Sequence, residues 1–181
     1  MDIAIVEFQG FKDNNNNFII KELAMGGVFK ENDWSHIIFL PPYPKSNLLH
    51  KVIVANDWCT RNLHGFSWED GSVSYENMQG ILTEFTSRFK HIATKGCEKS
   101  KFLTSVLKRN VTDLDTILQM KISDCPPVKV PCNHGEFCAL KSLCKLQQWM
   151  RNLSNVIGIE LKEKFCASNT PNEDDGFDEW W

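Results

Sequence analysis

The chain has 181 residues, 42% of them apolar and 24% charged, a length that buries about two thirds of the unfolded surface in one domain and a balance that excludes wholesale disorder. No basic segment leads into an apolar one at the start, and no apolar run approaches the ~20 residues that span a bilayer, so the expected setting is cytoplasmic or nuclear, neither secreted nor membrane-inserted. The net charge of −3 hides an asymmetry: residues 172–181 hold five acids and no base, while residues 88–110 set Arg88, Lys90, Lys95, Lys99, Lys101, Lys108 and Arg109 against Glu98 alone.

In chain order, residues 2–9 form a short apolar run closed by Gly10 and read as a buried strand. Asp13 and the four asparagines after it signal a turn, and residues 18–25 return as a second strand. Residues 34–40 make a third, stopped by Pro41 and Pro42. Three strands joined by short polar turns predict an antiparallel meander. Residues 48–63 and 75–89 then fit helices. Residues 91–94 form a short strand leading into Lys95 and Gly96, and 98–107 form a helix with Phe102, Leu103, Val106 and Leu107 on one face. Residues 111–117 read as a strand or a helical turn. Three prolines make 124–133 a loop. The last helix begins near His134 and carries an apolar arc from Phe137 through Leu140, Leu143, Leu146, Trp149, Met150 and Leu153 to Ile157, with Gly158 as its stop. From Ser168 the chain is polar and acidic. The division is therefore a domain over 1–167 and a disordered acidic tail over 168–181. The order predicts an α/β fold with a mixed central sheet and helices packed around it. It matches the ribonuclease H-like arrangement, whose catalytic groups sit on the first strand and last helix.

Seven cysteines, an odd number in a chain without a secretory leader, read as reduced thiols rather than a disulfide framework. Five lie at 125, 132, 138, 144 and 166, and the stretch Cys132-Asn-His134-Gly-Glu-Phe-Cys138 suits a metal. With a helix starting near His134, His134 and Cys138 stand one turn apart on one face, and Cys132 comes from the loop before it. Two thiolates and an imidazole suit one structural Zn²⁺ in tetrahedral geometry. The favoured fourth ligand is Glu7, with Cys125 and Cys144 as alternatives. Glu7 follows Ile3 and Ile5 on one side of a strand whose other side holds Ala4, Val6 and Phe8. Both faces are apolar, so the strand is central, and a carboxylate there needs a cation, a donor or water.

On these residues the chain resembles the Maelstrom domain, a divergent branch of the DnaQ-like (DEDDh) exonucleases. The matching stretches are Ile5-Val6-Glu7-Phe8-Gln9-Gly10 for the first strand and Cys132-x-His134-x₃-Cys138-Ala139-Leu140 for the metal-bearing helix. Trp58-Cys59-Thr60-x₃-His64-Gly65 and Thr94-Lys95-Gly96 fall at the middle motifs, and residues 152–161 at the domain's end. The resemblance implies a DnaQ exonuclease-like fold and a Glu-Cys-His-Cys zinc set made of Glu7, Cys132, His134 and Cys138. It also implies single-stranded RNA binding in the piRNA pathway and transposon silencing. The spacing of the Cys, His and Cys is shorter here than in the family. The family's HMG box has no counterpart, so binding through it is not implied.

A working DEDDh site needs Asp-x-Glu on the first strand and His-x₄-Asp on the last helix to clamp two metal ions. Here the first motif reads Glu7-Phe8-Gln9, and Cys138 stands where the aspartate belongs. Standard 3′–5′ exonuclease chemistry is not expected and no catalytic residue is assigned. Lys95, Lys99 and Lys101 are the candidate contacts to a single-stranded backbone, with aromatic side chains stacking on bases. Two other readings stand beside this one. One is a nuclease cutting single-stranded RNA or DNA with unconventional carboxylates. The other is a protein adaptor whose acidic tail presents Phe177, Trp180 and Trp181 to a partner in a small-RNA pathway.

Overall fold

A computed structural model describes residues 2–29, 33–117, 121–132, 134–135 and 137–157. Alternating large side chains make Ile3–Lys12 the first strand, β1, and the chain returns antiparallel to it as β2, Phe18–Gly27. Asp13 holds the turn between them, its Oδ1 accepting the N–H groups of Asn15 and Asn17 at 2.8 Å each. The pairing slips between Gln9 and Gly10, where a Cβ on residue 10 would fall 2.1 Å from the Ile19 carbonyl oxygen. Only glycine lets the two backbones approach at this bulge. Next, β3 (Trp34–Ile38) pairs antiparallel with β2, completing the predicted meander.

The helix α1 (His50–Cys59) runs directly into a π-helical turn, Thr60–His64. Asn56 fastens α1 to the sheet by imitating a strand: its Oδ1 accepts the N–H of Lys12 at 3.0 Å, and its Nδ2 donates to the Lys12 carbonyl at 2.9 Å. After α2 (Met78–Ser87), β4 (His91–Thr94) pairs parallel to β1. Then come α3 (Cys97–Leu107), the short β5 (Thr112–Asp113) parallel to β4, the single turn α4 (Leu114–Ile117), and α5 (Ala139–Ile157). The ambiguous segment 111–117 thus holds both a strand and a helical turn. The five-stranded mixed sheet has the order β3-β2-β1-β4-β5, which makes β1 its centre.

Both faces of β1 are covered, as its apolar composition predicts. Ile3 and Ile5, with Ala24, pack against Leu140, Leu143, Leu146 and Met150 of α5. Ala4, Val6 and Phe8, with Leu23 and Met25, pack against Leu82 and Phe85 of α2 and Leu103 and Leu107 of α3. Each such side chain contributes roughly 1.5–3 kcal/mol when fully buried. Three charged residues, Glu7, Lys21 and Glu22, share this interior. Lys21 donates from Nζ to the carbonyls of Trp68, at 2.6 Å, and Asp70, and burial pushes its ammonium down to about 8. Glu22, beside it, belongs to the site described next. No helix among the described residues is long and apolar enough to cross a membrane. Gly158 and the tail, with Phe177, Trp180 and Trp181, lie outside the described residues.

Candidate metal centre and the adjoining cavity

The last helix starts at Ala139, not near His134. The expected one-turn spacing of His134 and Cys138 on a helix face is therefore replaced by a loop ending in a cap. Cys138 is that cap. Its carbonyl accepts the N–H of Ser142 at 3.0 Å, and its sulfur accepts the N–H of Lys141 at 3.4 Å. The carboxylate of Glu22 takes the next free donor, Ala139 N–H, at 2.9 Å. A helix N-terminus carries partial positive charge and orphan N–H groups, so it draws anionic side chains together.

What gathers there is a ligand set. The donor atoms of Cys132, His134 and Cys138 all lie within 4.8 Å of one another. The two sulfurs are 3.0 Å apart, against about 3.8 Å for two thiolates across a tetrahedral zinc, so metal entry would open the pair by less than about 1 Å. Glu22 Oε1 lies 3.4 Å from Cys138 Sγ and 3.1 Å from His134 Nε2, which makes it the candidate for a fourth ligand; it also forms a second group with His36 and His134. His36 contacts the same carboxylate oxygen, Nε2 to Oε1 at 2.8 Å, and its ring stacks parallel to that of His134.

The donor chemistry fits a cation. His134 Nδ1 is 3.1 Å from the carbonyl of His64. A carbonyl only accepts, so Nδ1 carries the proton, and in a neutral imidazole Nε2 is left with its lone pair. That Nε2 is buried without a hydrogen bond and faces a carboxylate oxygen. A lone pair aimed at an anion is repulsive unless a proton or a metal ion sits between them, and a ligating histidine characteristically gives its other N–H to a carbonyl. Burial pushes the Cys138 thiol up, with Cys132 and Glu22 adding to the shift, so ionising this pair requires a compensating charge. Burial would raise Glu22 as well. The hydrogen bonds from His36 and Ala139 hold it below its ordinary value instead. These four residues would hold one zinc ion, and the set contains no open-site water chemistry to assign.

Glu7 is the correction. It does not join Cys132, His134 and Cys138. Its Oε1 accepts the N–H of Lys95 at 2.8 Å and the hydroxyl of Thr94 at 3.2 Å, and its Oε2 pairs with Lys99 Nζ at 2.9 Å. The reason is register. Glu7 faces Ala24 across the β1–β2 ladder, while Glu22 faces Gln9, one pleat closer to the cap of α5. Of the alternatives, Cys125 and Cys144 are also outside the set. Glu22 and His36 are the site residues that local spacing does not reveal. The available signal is a Lys-Glu pair inside an otherwise apolar strand.

Glu7 instead forms the floor of a cavity of about 450 Å³ between β1, the start of α3 and α5. Lys95, Lys99, Lys141 and Lys145 line it, with Asp115 as the second acid and Gln9 and Phe137 beside them. Lys95 pairs with Asp115, and Lys145 Nζ is 3.5 Å from the Ile122 carbonyl. Lys141 Nζ has no partner among the described residues. Of the expected nucleic-acid contacts, Lys95 and Lys99 reach this cavity and Lys101 does not. Two residues along a helix, Lys101 points away from Lys99 into solvent. Two further acids near this region are occupied. Glu98 pairs with Lys12 at 3.4 Å, and Asp113 accepts the N–H groups of Gly96 and Asp115, both at 2.9 Å. No protein-family model matches the chain, and no curated protein matches it either.

Proposed function

We propose that the chain is a zinc-stabilised, ribonuclease H-like domain that lacks exonuclease chemistry and binds single-stranded RNA, as the Maelstrom resemblance implies. A role in piRNA-type transposon silencing belongs to the same proposal. Support for the fold comes from the 3-2-1-4-5 sheet, antiparallel on one side and parallel on the other, with the last helix lying over the carboxylate of its central strand. The observation that carries the functional reading is the cavity around Glu7. Two-metal phosphodiester hydrolysis needs several free carboxylates. Among the described residues the cavity has two, each tied to a lysine of the same chain, and four ammonium groups line the space that metal ions would fill. Such a site attracts phosphate oxygens and offers little to a divalent cation.

The test is equilibrium binding of a labelled single-stranded RNA at several salt concentrations. Three or four lysine contacts give a log–log salt slope of about −2 to −3, at ~0.7 per contact for a single strand. Lys141→Glu and Lys145→Glu should each weaken binding at least tenfold, and Lys101→Glu should leave it within about twofold. The same RNA should keep its length in Mg²⁺. Salt-insensitive or absent binding overturns the proposal. Shortening of the RNA that disappears in Glu7→Gln would make the protein a nuclease instead.

A further inference from the structure

The charge inside the cavity has a definite balance. Glu7 is neutralised by Lys99, with Oε2 and Nζ 2.9 Å apart, and Asp115 by Lys95. Among the described residues, what remains without a carboxylate partner is Lys141 and Lys145, one turn apart on α5 and directed into the same space. Two ammonium groups with no anionic partner among the described residues, Lys145 held only by the Ile122 carbonyl, match a dianion. An internal phosphodiester carries one negative charge, whereas a terminal phosphate monoester carries ≈ −1.5 to −2 near neutral pH. Lysine acts on phosphate as a point charge and imposes no metal-like geometry. The space, at about 450 Å³, lies in the range of single small-ligand sites, roughly 300–1,000 Å³, and is too small for a run of stacked nucleotides. At its edge Phe137 is 49% exposed, an aromatic surface available to one base.

We propose that the cavity receives one nucleotide bearing a phosphate monoester, the phosphorylated end of a single strand, with Lys141 and Lys145 on the phosphate and Phe137 against the base. The inference rests on the RNA-binding reading and narrows it from a strand to a strand end. Divalent metal plays no part in the recognition. A free nucleoside monophosphate carries the same chemistry, so the experiment must separate the two sources.

The experiment measures anisotropy of internally labelled octanucleotides in zinc-loaded protein without Mg²⁺. One strand carries a 5′-phosphate, one a 3′-phosphate and one has hydroxyls at both ends. Adenosine 5′-monophosphate serves as competitor. At least one phosphorylated strand should bind tenfold or more tightly than the hydroxyl-ended one, and adding Mg²⁺ should not change the ratio. Lys141→Ala/Lys145→Ala should abolish the preference while keeping one zinc per chain, and Lys145→Ala alone should reduce it if the double variant fails to fold. Equal affinity for all three strands overturns the inference and leaves RNA binding standing. Binding of the monophosphate with no strand bound keeps the phosphate site but overturns the RNA reading. If neither strands nor monophosphate bind, both fall.

Discussion

Glu22 has no exposed surface, and an isolated carboxylate in that position would be strongly destabilising. Its tolerance comes from a full set of partners: His36 at 2.8 Å, the Ala139 N–H at 2.9 Å and the cap of α5. Glu7 is nearly as buried but has a different set of partners, a lysine and the turn after β4. The two carboxylates sit on neighbouring strands and on the same sheet face, yet they answer to different chemistry. Glu22→Gln keeps the shape and removes the charge that a cation needs, so zinc affinity should fall at least tenfold in competition with a chromophoric chelator. Glu7→Gln should retain one zinc of undiminished affinity. The reverse pattern, with zinc lost from Glu7→Gln and kept by Glu22→Gln, would return the fourth position to Glu7.

At the scale of elements, the piece that presents His134 is a loop pressed against the π-helical turn after α1. The N–H of Phe137 reaches the Leu63 carbonyl at 3.4 Å, and His134 Nδ1 donates to that of His64. This contact is possible because residue 135 is glycine. A Cβ there would sit 2.4 Å from the Leu63 oxygen and 2.6 Å from the His64 carbonyl carbon, both backbone atoms that cannot turn aside. Gly135→Ala should therefore lower stability by about 1–3 kcal/mol and weaken zinc about 10–100-fold, read by thermal melting and chelator competition. Gly80→Ala is the control. Nothing lies within 4 Å of a Cβ at that position of α2, so it should leave zinc unchanged and stabilise by roughly 0.5–1 kcal/mol. Unchanged zinc affinity in Gly135→Ala would mean that the loop contact does not position His134. The contrast between elements also explains what was legible in the sequence. The meander was readable because alternation and the Asp13 turn are local signals, and β4 and α3 likewise. The start of α5 was not, because it is decided by Glu22, 117 residues earlier in the chain. The Cys-His-Cys triad was readable from spacing. The candidate fourth ligand was not, because it depends on a strand register displaced by the bulge at Gly10 and on an acid with no motif around it.

Across the whole molecule the two faces of the sheet are built unequally. The face toward α2 and α3 buries Phe8, Phe39, Phe85 and Phe89 among its aliphatic residues, a core that closes by packing alone. Among the described residues the part of the other face beneath α5 buries aliphatic side chains, alanines and the thiol-bearing Cys138, while Phe11 and Trp68 are buried in a separate cluster against α1. This part is covered mainly by one helix, whose entry point is the ligand loop. A zinc ion bound there ties β2 to the start of α5 and should stabilise the weaker face more than the stronger one. Linkage sets the scale: with free zinc ~1,000-fold above its dissociation constant, the folded state gains about 4 kcal/mol. For a chain of this length that is a melting shift of roughly 8–16 °C, at about 2–4 °C per kcal/mol. Calorimetry of zinc-loaded and chelated protein should show a shift of this size. Hydrogen exchange in the chelated form should then quicken first over residues 139–153, while residues 82–107 keep their protection. A shift below about 2 °C, or a uniform loss of protection across both faces, would mean that α5 holds its face without the metal.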